Sequence, residues 1–174
     1  MTGPEVFFGG RVRPVAVILV TGMSGAGKST ALAELARRGH RVVDTDEADW
    51  SENVPLADKR RTERLWREDK MNVLLAEHVA GTLFISGCVS NQALFYPRFD
   101  AVVLLSAPVD TLLARVITRT TNPYGKASSE RDEIVGNTAA VEPLLRAGAT
   151  AEIDTRLPPD AVADELERIA RAAK

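Results

Sequence analysis

Eight consecutive residues constrain the fold of this chain more than any other feature. Gly22-Met23-Ser24-Gly25-Ala26-Gly27-Lys28-Ser29 follows the apolar run VAVILVT and leads, through Thr30, into a segment with helical periodicity. The octapeptide fits G-x-x-x-x-G-K-[S/T] at every position, and the strand-before, helix-after context gives the pattern its mechanical meaning. Glycines at 22, 25 and 27 let the backbone take positive φ and pass close to phosphate oxygens. Successive N–H groups then point inward, backed by the positive end of the following helix. In such a loop Lys28 bridges β- and γ-phosphate oxygens and the Ser29 hydroxyl faces Mg²⁺. Gly22, Ser24, Gly25, Ala26, Gly27, Lys28, Ser29 and Thr30 are therefore the expected nucleotide cradle, with Ser29 a metal ligand. With glycine near ~7% of average composition, the odds of a chance match in a chain this long are roughly one in a hundred.

The rest of the chain alternates strands with helices. Residues 1–14 read as a loose leader or an edge hairpin, and VAVILVTG as a strand buried on both faces. A helix over Ser29–Gly39 follows, with Leu32, Leu35 and Ala36 on one face and Gly39 as its stop. RVVDTDE is a second strand. A polar loop around Asn53–Pro55 precedes a long helix, about Ala57–Ala80, striped by Met71, Leu74, Leu75, His78 and Val79. GTLFISG and DAVVLLSAP are the third and fourth strands, with NQALFYPRF irregular or a short helical turn between them. Val109–Thr118 is helical, TRTTNPYGKASSERDE is the most loop-like stretch, and a helix covers about Glu130–Arg146. AEIDT is a fifth strand, and Pro158-Pro159-Asp160 opens a last helix striped by Val162, Leu166, Ile169 and Ala170. The pattern implies an α/β, three-layer P-loop NTPase fold: a five-stranded parallel sheet flanked by helices. At 174 residues the expected organisation is a single domain with a lid at about 119–130.

Composition removes other classes of function. Lys+Arg 22 against Asp+Glu 24 leaves a net charge of −2, the wrong balance for a nucleic-acid binder or a membrane-surface protein. One cysteine and two histidines supply neither a disulfide framework nor a metal cluster. The apolar run at 15–20 is far short of a ~20-residue span, and the first residues lack a secretory pattern. A cytoplasmic protein, monomeric or weakly dimeric, is expected. No N/T-K-x-D guanine-reading motif and no L-S-G-G-Q transporter signature occurs. The third strand ends in Ser86 rather than an acid, so support for the metal is expected from Asp44 and Asp46. Alternating along a strand end, both would point the same way, toward the crevice where α/β ligands bind. The plain alternative for the pair is a turn cap.

Four stretches resemble the shikimate kinases, within the wider group of small kinases that includes the nucleoside monophosphate kinases. They are GMSGAGKST, VVDTD, Trp66-Arg67, and Glu142-Pro143-Leu144 continuing through Ala149-Thr150 to Ile153-Asp154-Thr155. The resemblance implies Asp44 near the magnesium, Asp46 on substrate hydroxyls and Arg67 on a substrate carboxylate. Arg115-Val-Ile-Thr-Arg119 resembles the R-x-x-x-R segment that opens the monophosphate-kinase lid, where one arginine packs on adenine and the other reaches the phosphates. That implies Arg115 as a nucleotide contact, Arg119 as a catalytic one, and NPYGK as a lid tip flexing at Gly125. Two departures count against shikimate itself. Ser86-Gly87-Cys88 replaces a Gly-Gly-Gly turn, and Val141 stands where a second carboxylate-binding arginine belongs, a loss of about 1.5–3 kcal/mol of binding.

These residues lead to an expected Mg²⁺·ATP-dependent phosphotransferase acting on a small polar metabolite or nucleotide. Lys28, Asp46 and Arg119 are its catalytic groups, Ser29 and Asp44 its metal side, and Asp46, Arg67, Gly87 and Cys88 its substrate side, with Asn91 nearby. The plain readings are a solvated helix face for Arg115 and Arg119, a solvated charge for Arg64, and a small pocket or core residue for Cys88. Trp50 either stacks on the acceptor or covers the core; His78 belongs to the core, and His40 meets the carbonyls at the end of the first helix. Two functional alternatives share the motifs: a nucleotide-binding sensor that hydrolyses ATP slowly or not at all, and a phosphotransferase acting on an antibiotic.

Overall fold

The computed structural model describes residues 15–47, 49–57 and 62–173; the expected leader at 1–14 lies outside them. Strand β1 (Ala16–Thr21) is buried at all six positions, as a run of β-branched and aliphatic residues with neighbours on both sides should be. It pairs in parallel with β5 (Thr82–Ser86) on one side and β6 (Ala101–Ser106) on the other. β2 (Arg41–Asp44) joins β5, and β7 (Ala151–Asp154) joins β6, giving the all-parallel order β2-β5-β1-β6-β7. The five expected sheet strands and their parallel arrangement are present.

Helices cover both faces. α1 (Lys28–Arg37) and α5 (Pro159–Ala172) pack on one side, where Leu35, Phe84, Leu104 and Leu166 are fully buried. Arg38 ties the two helices together by donating to Glu34, Asp164, Glu167 and the Asp160 carbonyl. On the other side Leu19, Ile85, Met71, Leu74, Phe95 and Phe99 surround Trp66, whose indole lies edge-on to both phenylalanines. α3 (Val109–Thr118) and α4 (Ser128–Gly148) complete the layers. Among the described residues no helix is long and apolar enough to cross a membrane.

One segment departs from the sequence reading. In place of a helix over Ala57–Ala80, β3 (Ser51–Pro55) and β4 (Thr62–Trp66) pair as an antiparallel hairpin, and α2 covers only Glu68–Glu77. Trp66 therefore ends a strand and Arg67 caps the helix, so Arg64 and Arg67 do not share a helix face. The physical reason is tertiary: Trp66 is buried at the end of an extended strand, and the charged sequence at 57–64 has no apolar stripe to hold a helix against the core. The stripe also ends earlier than expected. Met71, Leu74 and His78 are buried, whereas Val79 lies beyond the helix and is 77% exposed.

This boundary is measurable. Leu74→Ala is expected to lower unfolding free energy by ~2–5 kcal/mol, and Val79→Ala by no more than about 0.5 kcal/mol. Equal costs in urea unfolding would contradict the assigned end of α2.

Candidate active site

The loop between β1 and α1 is shaped by its glycines. Gly22, Gly25 and Gly27 have φ of +152°, +84° and +95°. A Cβ on Gly22 would sit 2.4 Å from the Leu105 carbonyl oxygen, and one on Gly25 2.7 Å from that of Leu112. The loop is thus pressed onto the end of β6 and onto α3, at distances no side chain permits. Met23 and Ala26 are buried beneath it. Lys28 Nζ donates back to the carbonyl oxygens of Gly22 (2.7 Å) and Met23 (3.3 Å), which holds the ammonium over the loop. At the root, buried Gln92 exchanges hydrogen bonds with Thr21 and accepts one from the Val89 amide.

Two hydroxyls and one backbone amide meet at the Asp44 carboxylate. The Ser29 hydroxyl donates to Asp44 Oδ2 (3.0 Å), while the Ser86 hydroxyl and the Asp46 amide both donate to Oδ1 (3.1 Å each). Asp46 reaches the cleft by a different route from the one expected. β2 ends at Asp44, the chain turns, and buried Thr45 faces the interior between two carboxylates directed to the cleft. A hydroxyl and a carboxylate 3.0 Å apart form a hard, all-oxygen donor set that suits Mg²⁺ completed by phosphates and water. Among the described residues no group of three or more His, Cys, Asp or Glu makes a protein-only metal site. Ser86 is the residue sequence reasoning undervalued. Its hydroxyl orients the neighbouring strand's carboxylate, where an acid on its own strand had been sought.

These groups line one cleft of about 1500 Å³. Its near wall is the loop with Lys28, Ser29 and Thr30; its far wall includes Asp46, Glu47, Glu63, Arg64, Cys88 and Ser90. Burial pushes the Cys88 thiol above its ordinary pKa, consistent with a pocket residue rather than a nucleophile. Three expected substrate-side residues are placed elsewhere. Arg67 is absent from the cleft lining, and its guanidinium lies 3.3 Å from Asp49; Arg64 reaches the cleft instead and donates to the Asp46 carbonyl (3.2 Å). Gly87 also stays out of the lining, because it packs flat against Thr45 and Trp66. The Asn91 side chain is taken up by the backbone of Trp66, accepting from its N–H and donating to its C=O.

Both expected arginines converge on the loop. Arg115 donates to Thr155 Oγ1 (2.9 Å), to the Thr155 carbonyl and to the Gly25 carbonyl (3.3 Å), which fixes its plane at the cleft edge. Arg119 donates to Ser24 Oγ (3.3 Å) and to the Tyr124 carbonyl (2.7 Å), joining the cradle to the 119–127 loop. Burial lowers the Arg119 pKa and pushes the Tyr124 phenol up to about 12. Gly125 lies close against α3: at φ +96°, a Cβ would sit 2.8 Å from Val116 Cγ2. Lys126 Nζ caps the end of α3 through the Ile117 and Arg119 carbonyls, and Glu130 accepts from the Gly125 and Ala127 amides.

Comparison with known proteins bears on the family and the fold. A family model described as AAA domain matches residues 18–136. A nucleotide-binding protein from Desulfovibrio desulfuricans is 57% identical over 42 residues, so the match spans 24% of this chain and only 14% of that protein. Among solved structures, shikimate kinase from Acinetobacter baumannii in complex with shikimate has a TM-score of 0.59 at 22% identity, covering 89% of this chain and 90% of that one. A gluconokinase from Sinorhizobium meliloti gives 0.56 at 18%, covering 91% and 93%. A sugar kinase from Janibacter gives 0.55 at 18%, covering 92% and 98%. These likenesses show that the fold is that of the small P-loop kinases.

The backbone amides of Ala127 and Gly125 hold the Glu130 carboxyl below its ordinary value. Its anchoring of the loop is then complete above the ordinary carboxylate pKa and fades only as pH falls through the lower folded value. Glu130→Gln is expected to speed hydrogen exchange at the Gly125 and Ala127 amides roughly fivefold or more, with β1 unchanged. Unaltered exchange there would contradict the anchoring role.

Proposed function

Because the chain belongs to the AAA domain family and joins a complete phosphate cradle to a carboxylate-lined far wall, we propose that it is a Mg²⁺·ATP-dependent phosphotransferase. It transfers the γ-phosphoryl group of ATP to a small polar metabolite or nucleotide. The observation that carries this reading is the convergence on Asp44. Ser29 from the cradle, Ser86 from β5 and the Asp46 amide all hold that carboxylate beside the cradle, where it would stabilise a phosphate-bound cation.

In this reading the amides of residues 25–29 and Lys28 hold the phosphates, and Arg115 lies against the base. Arg119 stabilises charge on the transferring group, with its reach set by the 119–127 loop. When bound, Mg²⁺ neutralises phosphate charge beside Ser29 and Asp44. An acceptor hydroxyl attacks the γ-phosphorus, the bond to the β-bridging oxygen breaks, and the hydroxyl proton passes to the Asp46 carboxylate. ADP leaves with the electron pair. Phosphoryl transfer needs positioning and charge neutralisation more than covalent help, and this inventory supplies both. Structural neighbours named shikimate kinase, gluconokinase and sugar kinase favour a hydroxyl-bearing acceptor. Because Arg67 lies outside the cleft and Val141 stands where a second arginine was expected, the paired-arginine grip on a carboxylate is not part of the proposal. A phosphate acceptor, already ionised, would not need Asp46 as a base.

The second reading, a nucleotide-binding sensor, is favoured by Ser86 standing where the end of β5 lacks an acid. Acceptor-dependent ADP release, measured across hydroxyl metabolites and nucleoside monophosphates, separates the two. Stimulation by some acceptor is expected, and none across the panel favours the sensor. With that acceptor, Lys28→Ala is expected to lower turnover at least ~10²-fold. Asp46→Asn should lower it by ~10²–10⁴ for a hydroxyl acceptor. Near-wild-type turnover in folded Lys28→Ala protein would contradict the phosphotransferase assignment.

A further inference from the structure

Thr45, between the two cleft aspartates, is fully buried, and every one of its polar atoms is engaged. Its amide (3.0 Å) and its hydroxyl (2.7 Å) both donate to the Ser86 carbonyl. The hydroxyl also accepts from Trp66 Nε1 (2.8 Å), and the Thr45 carbonyl accepts from the Ser51 hydroxyl (3.1 Å). Ser51 and Trp66 face each other at the open end of the β3–β4 hairpin, so both strands of that hairpin grip one residue. Trp66 is itself held by the Asn91 side chain at its backbone N–H and C=O. Gly87 closes the assembly: a Cβ there would fall 2.2 Å from Thr45 Oγ1 and 3.0 Å from the indole. None of Thr45, Trp66 or Gly87 lines the cleft.

We propose that Thr45 and Trp66 are positioning residues that fix the Asp44 carboxylate, and with it the magnesium side of the cleft, by bolting the turn after β2 to the hairpin root and to β5. The proposal rests on the magnesium–phosphate reading above. The hydrogen-bond chain runs in one direction, from the indole N–H to the Thr45 hydroxyl to the Ser86 carbonyl, and leaves no donor or acceptor unpaired in a buried place. Because Ser86 also bonds Asp44 through its own hydroxyl, and the Asp46 amide follows Thr45 directly in the chain, rotation of Thr45 would move two of the three groups that hold that carboxylate. The P-loop has separate support from Gln92, Leu105 and Leu112, so the bolt acts on the cation rather than on the phosphates.

The test is binding of a non-hydrolysable ATP analogue by calorimetry, with excess Mg²⁺ and with EDTA, in wild type, Thr45→Val and Trp66→Phe. Wild type is expected to bind more tightly with Mg²⁺. Thr45→Val should keep its Mg²⁺-free affinity within about twofold yet lose about tenfold of the Mg²⁺-dependent tightening, the usual scale for groups that orient a ligand. Trp66→Phe, which keeps the ring in the core and removes only the donor, should shift the same way by a smaller factor. It carries the test if Thr45→Val does not fold. Unchanged Mg²⁺ tightening in the folded variants overturns the proposal, as does an equal loss with and without Mg²⁺, which would mark a general structural role. No Mg²⁺ tightening in the wild type would overturn the functional reading itself, and the bolt's role along with it.

Discussion

The close approach of the phosphate-binding loop to its supports is the constraint on which the rest of the structure depends. With the Leu105 and Leu112 carbonyls under Gly22 and Gly25, the loop cannot drift from the end of β6 or from α3. Its amides therefore keep one orientation relative to the sheet. In the proposed reading, that contact sets where the phosphates would lie and hence where Asp44, Arg115 and Arg119 must come from. Packing supplies the rigidity: β1 is buried on both faces, and residues of α1 and α5 fill one side of the sheet while Trp66 and its aromatic neighbours fill the other. Preorganised dipoles in such a setting stabilise developing charge without the reorganisation cost that water would impose.

Near neutrality in overall charge conceals strong local order. Carboxylates gather after β2, whereas guanidinium groups come from the far end of α3 and from the hairpin. Arg119, anchored to Ser24, links the loop over the cleft to the cradle. In the proposed transfer, water must be kept from competing for the phosphoryl group, and a loop latched in this way would serve that purpose. The latch is polar and local, with Lys126, Glu130 and Arg131 all bonding backbone within residues 117–127.

Much of this was legible from residue patterns alone. The five sheet strands announced themselves as short β-rich runs, and the octapeptide at 22–29 marked the strand–loop–helix turn because its chemistry is local. The β3–β4 hairpin is hidden in the sequence because its reason is non-local: Trp66 is drawn into a core formed by α2, β5 and the turn at 92–98, and no local periodicity reveals that. The resemblance of Trp66-Arg67 to the shikimate kinases implied Arg67 on the substrate, whereas the extended strand brings Arg64 to the cleft. Ser86 and Gly87 were likewise read by position in a motif, although their roles come from neighbours distant in sequence, Asp44 in one case and Thr45 with Trp66 in the other.

The central claim is that the cleft transfers phosphate to a molecule rather than to water. The most direct test incubates the protein, Mg²⁺ and ATP carrying ¹⁸O in its γ-phosphoryl group with a pool of small hydroxylated metabolites and nucleotides, then follows the label by mass spectrometry. Label in a small-molecule phosphate ester or phosphoanhydride, at a rate that depends on Lys28, is the predicted result. Label found solely in inorganic phosphate would contradict the account.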